Sequence, residues 1–283
     1  RSMMKSSVRV QVCLLAILLA SPGMAVAGEP SSDPPLFVPT ERTMFAEIPA
    51  SESGLDFVNP LLADDPRAFL YPFGYACGGV GIGDLDGDGR PDVFCAGGPV
   101  ANGLYLQTGD PGELRFERVK DGMVDGGEAW STGVSLVDID GDGDLDVYVC
   151  NYDAPNQLFV NDSTPGNPAF TEEAAAFGLD LRDSSIIATF ADVDNDGDQD
   201  VFAGVDYNLP GQKHQLFLND GTARFSPVAS SGLESLPPGI ANAAFADFNN
   251  DGNVDLFLGA GGTVYRLVDH LFYGNGDGTF TNE

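Results

Sequence analysis

The sequence predicts an all-β chain, a β-propeller built of four-stranded antiparallel blades. Three observations carry that expectation. The chain repeats itself every 54 or 55 residues, each repeat is made of short apolar runs rich in β-branched and aromatic residues, and each carries the same aspartate-glycine segment at the same place. A fixed unit of this length holds about four strands with their turns, the size of one propeller blade. A β-sandwich also has many short strands, but its strands need no common period.

The register of the repeat is tight. Nine-residue segments begin at Asp84, Asp138, Asp192 and Asp247, separated by 54, 54 and 55 residues. Leu104-Tyr105, Leu158-Phe159, Leu216-Phe217 and Leu271-Phe272 keep the same beat, as do Phe116, Phe170, Phe225 and Phe280. The runs before the segments (Val80–Ile82, Val134–Leu136, Ala244–Ala246) and after them (Val93-Phe94, Val147–Val149, Val201-Phe202, Leu256–Leu258) read as strands bounded by Gly, Asn, Asp and Pro. The repeats span residues 44–283.

Upstream of them, Lys5 and Arg9 precede an apolar stretch from Val10 to Ala20, and Ala25-Val26-Ala27 offers small residues for cleavage. Residues 1–27 read as a signal peptide, too short and too broken by Pro22 and Gly23 to span a bilayer comfortably, and 28–43 as a linker. The expected compartment is therefore secreted, periplasmic or cell-surface. Cys77, Cys95 and Cys150 follow the cleavage point with no metal-binding spacing, and buried free thiols are favoured over a disulfide. A formal net charge of −30, from 13 basic and 43 acidic residues, argues against nucleic acid and anionic membranes as partners and suits a protein that binds cations.

The nine-residue segments carry the chemistry. Oxygen side chains stand at positions 1, 3, 5 and 9: Asp84, Asp86, Asp88 and Asp92; Asp138, Asp140, Asp142 and Asp146; Asp192, Asp194, Asp196 and Asp200; Asp247, Asn249, Asp251 and Asp255. Position 2 is apolar (Leu85, Ile139, Val193, Phe248), suited to anchor the loop in a core. Positions 4 and 6 are Gly or Asn, residues that tolerate the left-handed backbone needed to curl around an ion. Carboxylates crowded this way repel by about 4 kcal/mol per close pair at an effective dielectric near 20, a cost that a divalent cation removes. Oxygen-only ligands in a flexible loop favour Ca²⁺ over Mg²⁺ and Zn²⁺. An EF-hand begins alike but needs Glu at position 12 and flanking helices; here position 12 is Cys95, Val149, Ala203 or Leu258. Asp-rich turns without metal would explain one such loop, but not four with the same ligand columns.

The pattern Asp-x-Asp-x-Asp-Gly-x-x-Asp between short strands resembles the FG-GAP/VCBS repeat, the blade also found in integrin α-chains. The phrases Asn156–Asn161, His214–Thr222 and Gly274–Phe280, with the recurring Gly54-Leu55, Gly178-Leu179 and Gly232-Leu233, are similar to cartilage acidic protein-like members of that group. The resemblance implies up to four Ca²⁺ ions, each held by side chains at positions 1, 3, 5 and 9 and by the position 7 carbonyl of Arg90, Asp144, Asp198 or Asn253. It also implies a larger, seven-bladed propeller with a further C-terminal domain of the ASPIC/UnbV type, so the chain reads as a fragment. A closed four-bladed ring is the alternative.

Catalysis finds little support. His214 and His270 sit at polar positions just before a Leu-Phe pair, where a turn or surface role is expected, and the lone Trp130 reads as a packing residue rather than a groove wall. No catalytic residue is assigned. The expected function is a secreted calcium-binding scaffold for an extracellular protein or glycan. The alternatives are the propeller part of a carbohydrate-active lyase or hydrolase, and a structural segment of a large surface protein.

Overall fold

The computed structural model describes residues 45–73, 78–120, 122–205, 211–260 and 268–282. The expected signal peptide, the linker and Cys77 lie outside them. Among the described residues, sixteen strands form four successive groups, each beginning upstream of an aspartate loop. They are β1 (Val80–Gly83), β2 (Asp92–Cys95), β3 (Gly103–Gln107) and β4 (Phe116–Arg118); β5 (Trp130–Val137), β6 (Asp146–Pro155), β7 (Gln157–Asn161) and β8 (Phe170–Glu172); β9 (Arg182–Ala191), β10 (Asp200–Val205), β11 (Gln215–Asn219) and β12 (Phe225–Pro227); β13 (Ile240–Ala246), β14 (Asp255–Ala260), β15 (His270–Gly274) and β16 (Phe280–Asn282). Every pairing is antiparallel, and each group is an up-and-down meander in chain order. Two four-residue helices, α1 (Ala50–Ser53) and α2 (Ala174–Phe177), end at Gly54 and Gly178 in the left-handed conformation that stops a helix.

Blades two and three are not separate sheets. Strand β6 runs ten residues and continues past its pairing with β7 to meet β9 through Tyr152↔Ser184, Ala154↔Asp183 and Pro155↔Arg182, giving one eight-stranded sheet. Buried polar groups are satisfied where that seam opens: Asn156 Oδ1 accepts from the Asn151 backbone N–H at 2.9 Å, and Ser131 Oγ donates to the Asn151 side-chain Oδ1 at 2.9 Å. Gly133 is required there, because a Cβ would stand 2.3 Å from the Ile186 carbonyl oxygen of β9.

The first strands of the groups lie side by side, β1 against β5, β5 against β9, β9 against β13, and the core sits between blades. Leu85, Phe94 and Leu104 of the first blade pack on Val147, Val149 and Phe159 of the second. Tyr148, Cys150 and Leu158 meet Val201 and Phe217 of the third, and Phe202 and Leu216 meet Leu256, Leu258 and Phe272 of the fourth. Among the described residues, nothing covers the same positions on the fourth blade. Phe94, Tyr148 and Phe202 are fully buried but their counterpart Phe257 is 38% exposed; Leu85, Ile139 and Val193 are buried but Phe248 is 49% exposed.

Trp130 is fully buried, stacked under the Arg67 guanidinium (4.8 Å to the ring centroid) and against Gly98, where a Cβ would lie 2.7 Å from the ring. Cys95 and Cys150 are buried free thiols, with burial pushing the Cys95 thiol up to about 12. His214 departs from the expected surface role. Its Nδ1 accepts from the Val205 N–H at 3.1 Å, so Nε2 carries the proton and donates to the Pro237 carbonyl at 2.8 Å.

This blade-on-blade core generates a contrast that equilibrium urea unfolding can measure. Phe202→Ala should cost about 3–5 kcal/mol, because a fully buried ring leaves a cavity between two blades. Phe257→Ala, at the equivalent but uncovered position, should cost about 1 kcal/mol or less. Equal costs would contradict the assignment of the core to the blade interfaces.

Candidate metal centre

Each aspartate loop joins the first strand of a blade to the second, so all four face the same end of the array. Position 9 fastens the loop. Asp92, Asp146, Asp200 and Asp255 are buried, and one oxygen of each accepts the N–H of its own position 2 residue at 2.8–2.9 Å. The other oxygen accepts an N–H at the end of the third strand, from Gln107, Asn161, Asn219 or Gly274, at 2.8–3.0 Å.

Position 1 winds the turn. The Oδ2 atoms of Asp84, Asp138, Asp192 and Asp247 accept from the position 6 glycine N–H at 2.8–3.1 Å. The left-handed backbone expected at positions 4 and 6 is present in all four loops, with φ of +70°, +76°, +62° and +59° at Gly87, Gly141, Asn195 and Asn250. Position 6 is more extended, +86° to +102° at Gly89, Gly143, Gly197 and Gly252, and open space surrounds each Cβ position. The backbone angle alone therefore calls for glycine there.

This winding brings three carboxylates together. Oxygens of Asp84, Asp86 and Asp92 lie within 4.8 Å of one another, as do those of Asp138, Asp140 and Asp146 and those of Asp192, Asp194 and Asp200. Position 5 stands outside these triads. Asp88, Asp142, Asp196 and Asp251 instead cap the N–H of position 7 at 2.8–3.0 Å, so Arg90, Asp144, Asp198 and Asn253 are held by their amides. In the fourth loop Asn249 takes position 3, and its side-chain amide donates to Asp251 at 2.9 Å.

The triads are electrostatically strained. Burial holds the carboxyls of Asp92 and Asp200 at about 6 and that of Asp146 at about 7, against their two N–H donors. Asp86, Asp140 and Asp194 are also raised, first by burial and then by the charge of the position 5 aspartate. Three hard oxygen ligands, two of which burial makes reluctant to ionise without a counter-charge, fit a hard divalent cation.

Residues 84–149, 138–203 and 192–258 each match an FG-GAP-like repeat, and together these matches cover more than half of the chain. This chain belongs to the FG-GAP-like repeat family. Among its relatives, cartilage acidic protein 1 of Homo sapiens is 26% identical over 206 residues, covering 70% of this chain and 30% of that protein. The Xenopus tropicalis protein of the same name is 28% identical over 193 residues, 65% of this chain and 28% of its own length. The chain thus spans under a third of these relatives. Among solved structures, an exotype rhamnogalacturonan lyase aligns with 71% of this chain and 37% of its own at a TM-score of 0.40 and 14% identity. A Photorhabdus luminescens Tc holotoxin pore aligns with 76% of this chain and 9% of its own at a TM-score of 0.37 and 20% identity.

Two side-chain columns of these FG-GAP-like repeats escape the sequence reading. Asn102, Asn156, His214 and Asp269 each accept a backbone N–H at 2.9–3.1 Å, from Gly97, Asn151, Val205 and Ala260 in or just after the second strand of their blade. Their signal was their constant offset, two residues before each Leu-aromatic pair. The second, Asn161 and Asn219, links blades, with a backbone N–H making the third link. Asn161 Nδ2 donates to the Leu85 carbonyl at 3.3 Å and Asn219 Nδ2 to Ile139 at 3.5 Å, and the Gly278 N–H reaches Val193 at 3.3 Å. Each of the first three loops is thus held by the blade that follows it.

The raised carboxyls set a pH dependence. Their folded-state pKa lies above the ordinary value of 3.8, so their contribution is fullest below that value and is lost as pH rises through about 6 to 7. Buried His214, whose pKa is lowered, opposes this on acidification, but as one group against three. Thoroughly chelated protein should therefore show a higher Tm by circular dichroism at pH 5.5 than at pH 7.5. A Tm that falls over this interval would contradict the strained triads.

Proposed function

We propose that this chain is a calcium-stabilised, non-catalytic binding scaffold that works outside the cytoplasm. The observation that carries the reading is the recurrence of a three-carboxylate cluster in three successive loops at one end of the array. A catalytic site is needed once; a structural ion site can be repeated with every blade. The N-terminal export pattern and the relatives' name, cartilage acidic protein, support an extracellular setting.

The residues that would hold calcium are those at positions 1, 3 and 9, joined by the position 5 side chain and the position 7 carbonyl. Bound calcium supplies positive charge that cancels the mutual repulsion of the carboxylates. The chain's own part is to carry that fixation outward. Position 9 ties the loop to the second and third strands, and the position 2 carbonyl ties it to the next blade. A filled loop therefore stiffens a blade and its junction with the following blade. Rigid blades present their connecting loops as a preorganised surface for a protein or glycan. The net charge of −30 disfavours nucleic acid and anionic lipid as that partner.

Calcium should raise the Tm of chelated protein, with each site contributing about 2.7 kcal/mol at a hundredfold excess over its Kd. An unchanged melting curve in calcium and in chelator would overturn the reading. The fourth loop, with Asn249 in place of a carboxylate, should bind most weakly. Asp251→Ala should then remove the weakest site in a calcium titration, and Asp142→Ala a tighter one. A glycan array probed with and without calcium tests the scaffold role. Hydrolysis or elimination products from the arrayed sugars would argue for an enzyme instead.

A further inference from the structure

The first loop differs from the others in one respect. Arg90, at position 7, is the only cation in any of the four aspartate segments; Asp144, Asp198 and Asn253 stand at the same place. The structure shows where its charge goes. The Arg90 N–H donates to Asp88 Oδ1 at 2.9 Å, as the position 7 amide does in every loop, but its guanidinium also closes on Asp88 Oδ2 in an ion pair. Both oxygens of Asp88 are thus held by one residue. In the second and third loops the position 7 amide takes only the Oδ1 atoms of Asp142 and Asp196. The guanidinium field also reaches Asp86, a member of the first triad.

We propose that Arg90 is an internal counter-cation that weakens calcium binding at the first loop and makes its filling the graded step of the array. This rests on the calcium reading above. An ion at the triad of Asp84, Asp86 and Asp92 gains the fourth carboxylate only when Asp88 leaves Arg90, and it meets a positive charge that the second and third loops lack. One unit charge about 6 Å from a divalent ion in water-like surroundings changes affinity roughly tenfold. By carboxylate count alone the first three loops are equal; with Arg90 the first falls behind the second and third. The consequence reaches the blade junction, because the Leu85 carbonyl of this loop is held by Asn161 of the second blade. Among the three blade junctions, the one between blades one and two is then the one that stiffens only at higher calcium.

Hydrogen–deuterium exchange read by mass spectrometry reports each loop separately through its own peptide, on the intact chain at buffered free calcium. In the unmodified protein the 84–92 peptide should reach half-protection at about tenfold higher calcium than those spanning 138–146 and 192–200. Arg90→Gln should bring it down to their range and leave their midpoints unchanged, while Arg90→Lys, which keeps the charge, should hold it high. Arg90 is exposed and outside the core, so the other loops verify folding in the same experiment. A first-loop midpoint unmoved by Arg90→Gln, with the other loops responding, would overturn the role of Arg90 alone. Protection that responds to calcium in no loop would overturn the calcium reading, and the role of Arg90 with it.

Discussion

The fold hangs on a buried carboxylate used four times. At position 9 of every loop an aspartate with almost no solvent exposure accepts two backbone N–H groups, one from the start of its own loop and one from the end of the third strand. A buried charge of this kind is costly unless both oxygens are satisfied. Its two acceptors hold the loop, the second strand and the third strand in one relative placement. The winding of positions 1 to 6 follows, because the fastened ends leave a short span that closes only through left-handed turns at positions 4 and 6.

The same residue links structure to proposed function. Fastening the loop through position 9 pulls positions 1 and 3 toward it and creates the three-oxygen cluster. The carboxylates are therefore crowded by the needs of the backbone before any ion is considered. Burial first, and neighbouring charge after it, raises the carboxyls at positions 3 and 9, and a cation that offsets this would act on the same strands that position 9 fastens. In the proposed function, ion site and blade scaffold are one device.

Blade stacking adds a second level. The apolar faces are complementary from blade to blade, and the loop of one blade receives an N–H from the next, so order at a loop is shared with its neighbour. The continuous sheet joining blades two and three adds strand pairing to that junction. On blade four, Phe248 and Phe257 expose positions that the other three blades bury.

The sequence by itself determined the repeat, the four-stranded blade, the aspartate columns and the left-handed positions. These are local properties: a strand is written in alternating apolar residues, and a tight turn in glycine and asparagine. Only the tertiary structure decided which carboxylates converge. Asp84, Asp86 and Asp92 meet and Asp88 does not, because position 9 is drawn in by the third strand while position 5 caps its own turn. It alone turned His214 from an ordinary polar residue into a buried link, merged two blades into one sheet, and set Arg90 against Asp88. Each of these depends on a partner brought near by folding, or on which way a side chain turns, and neither is written in residue spacing.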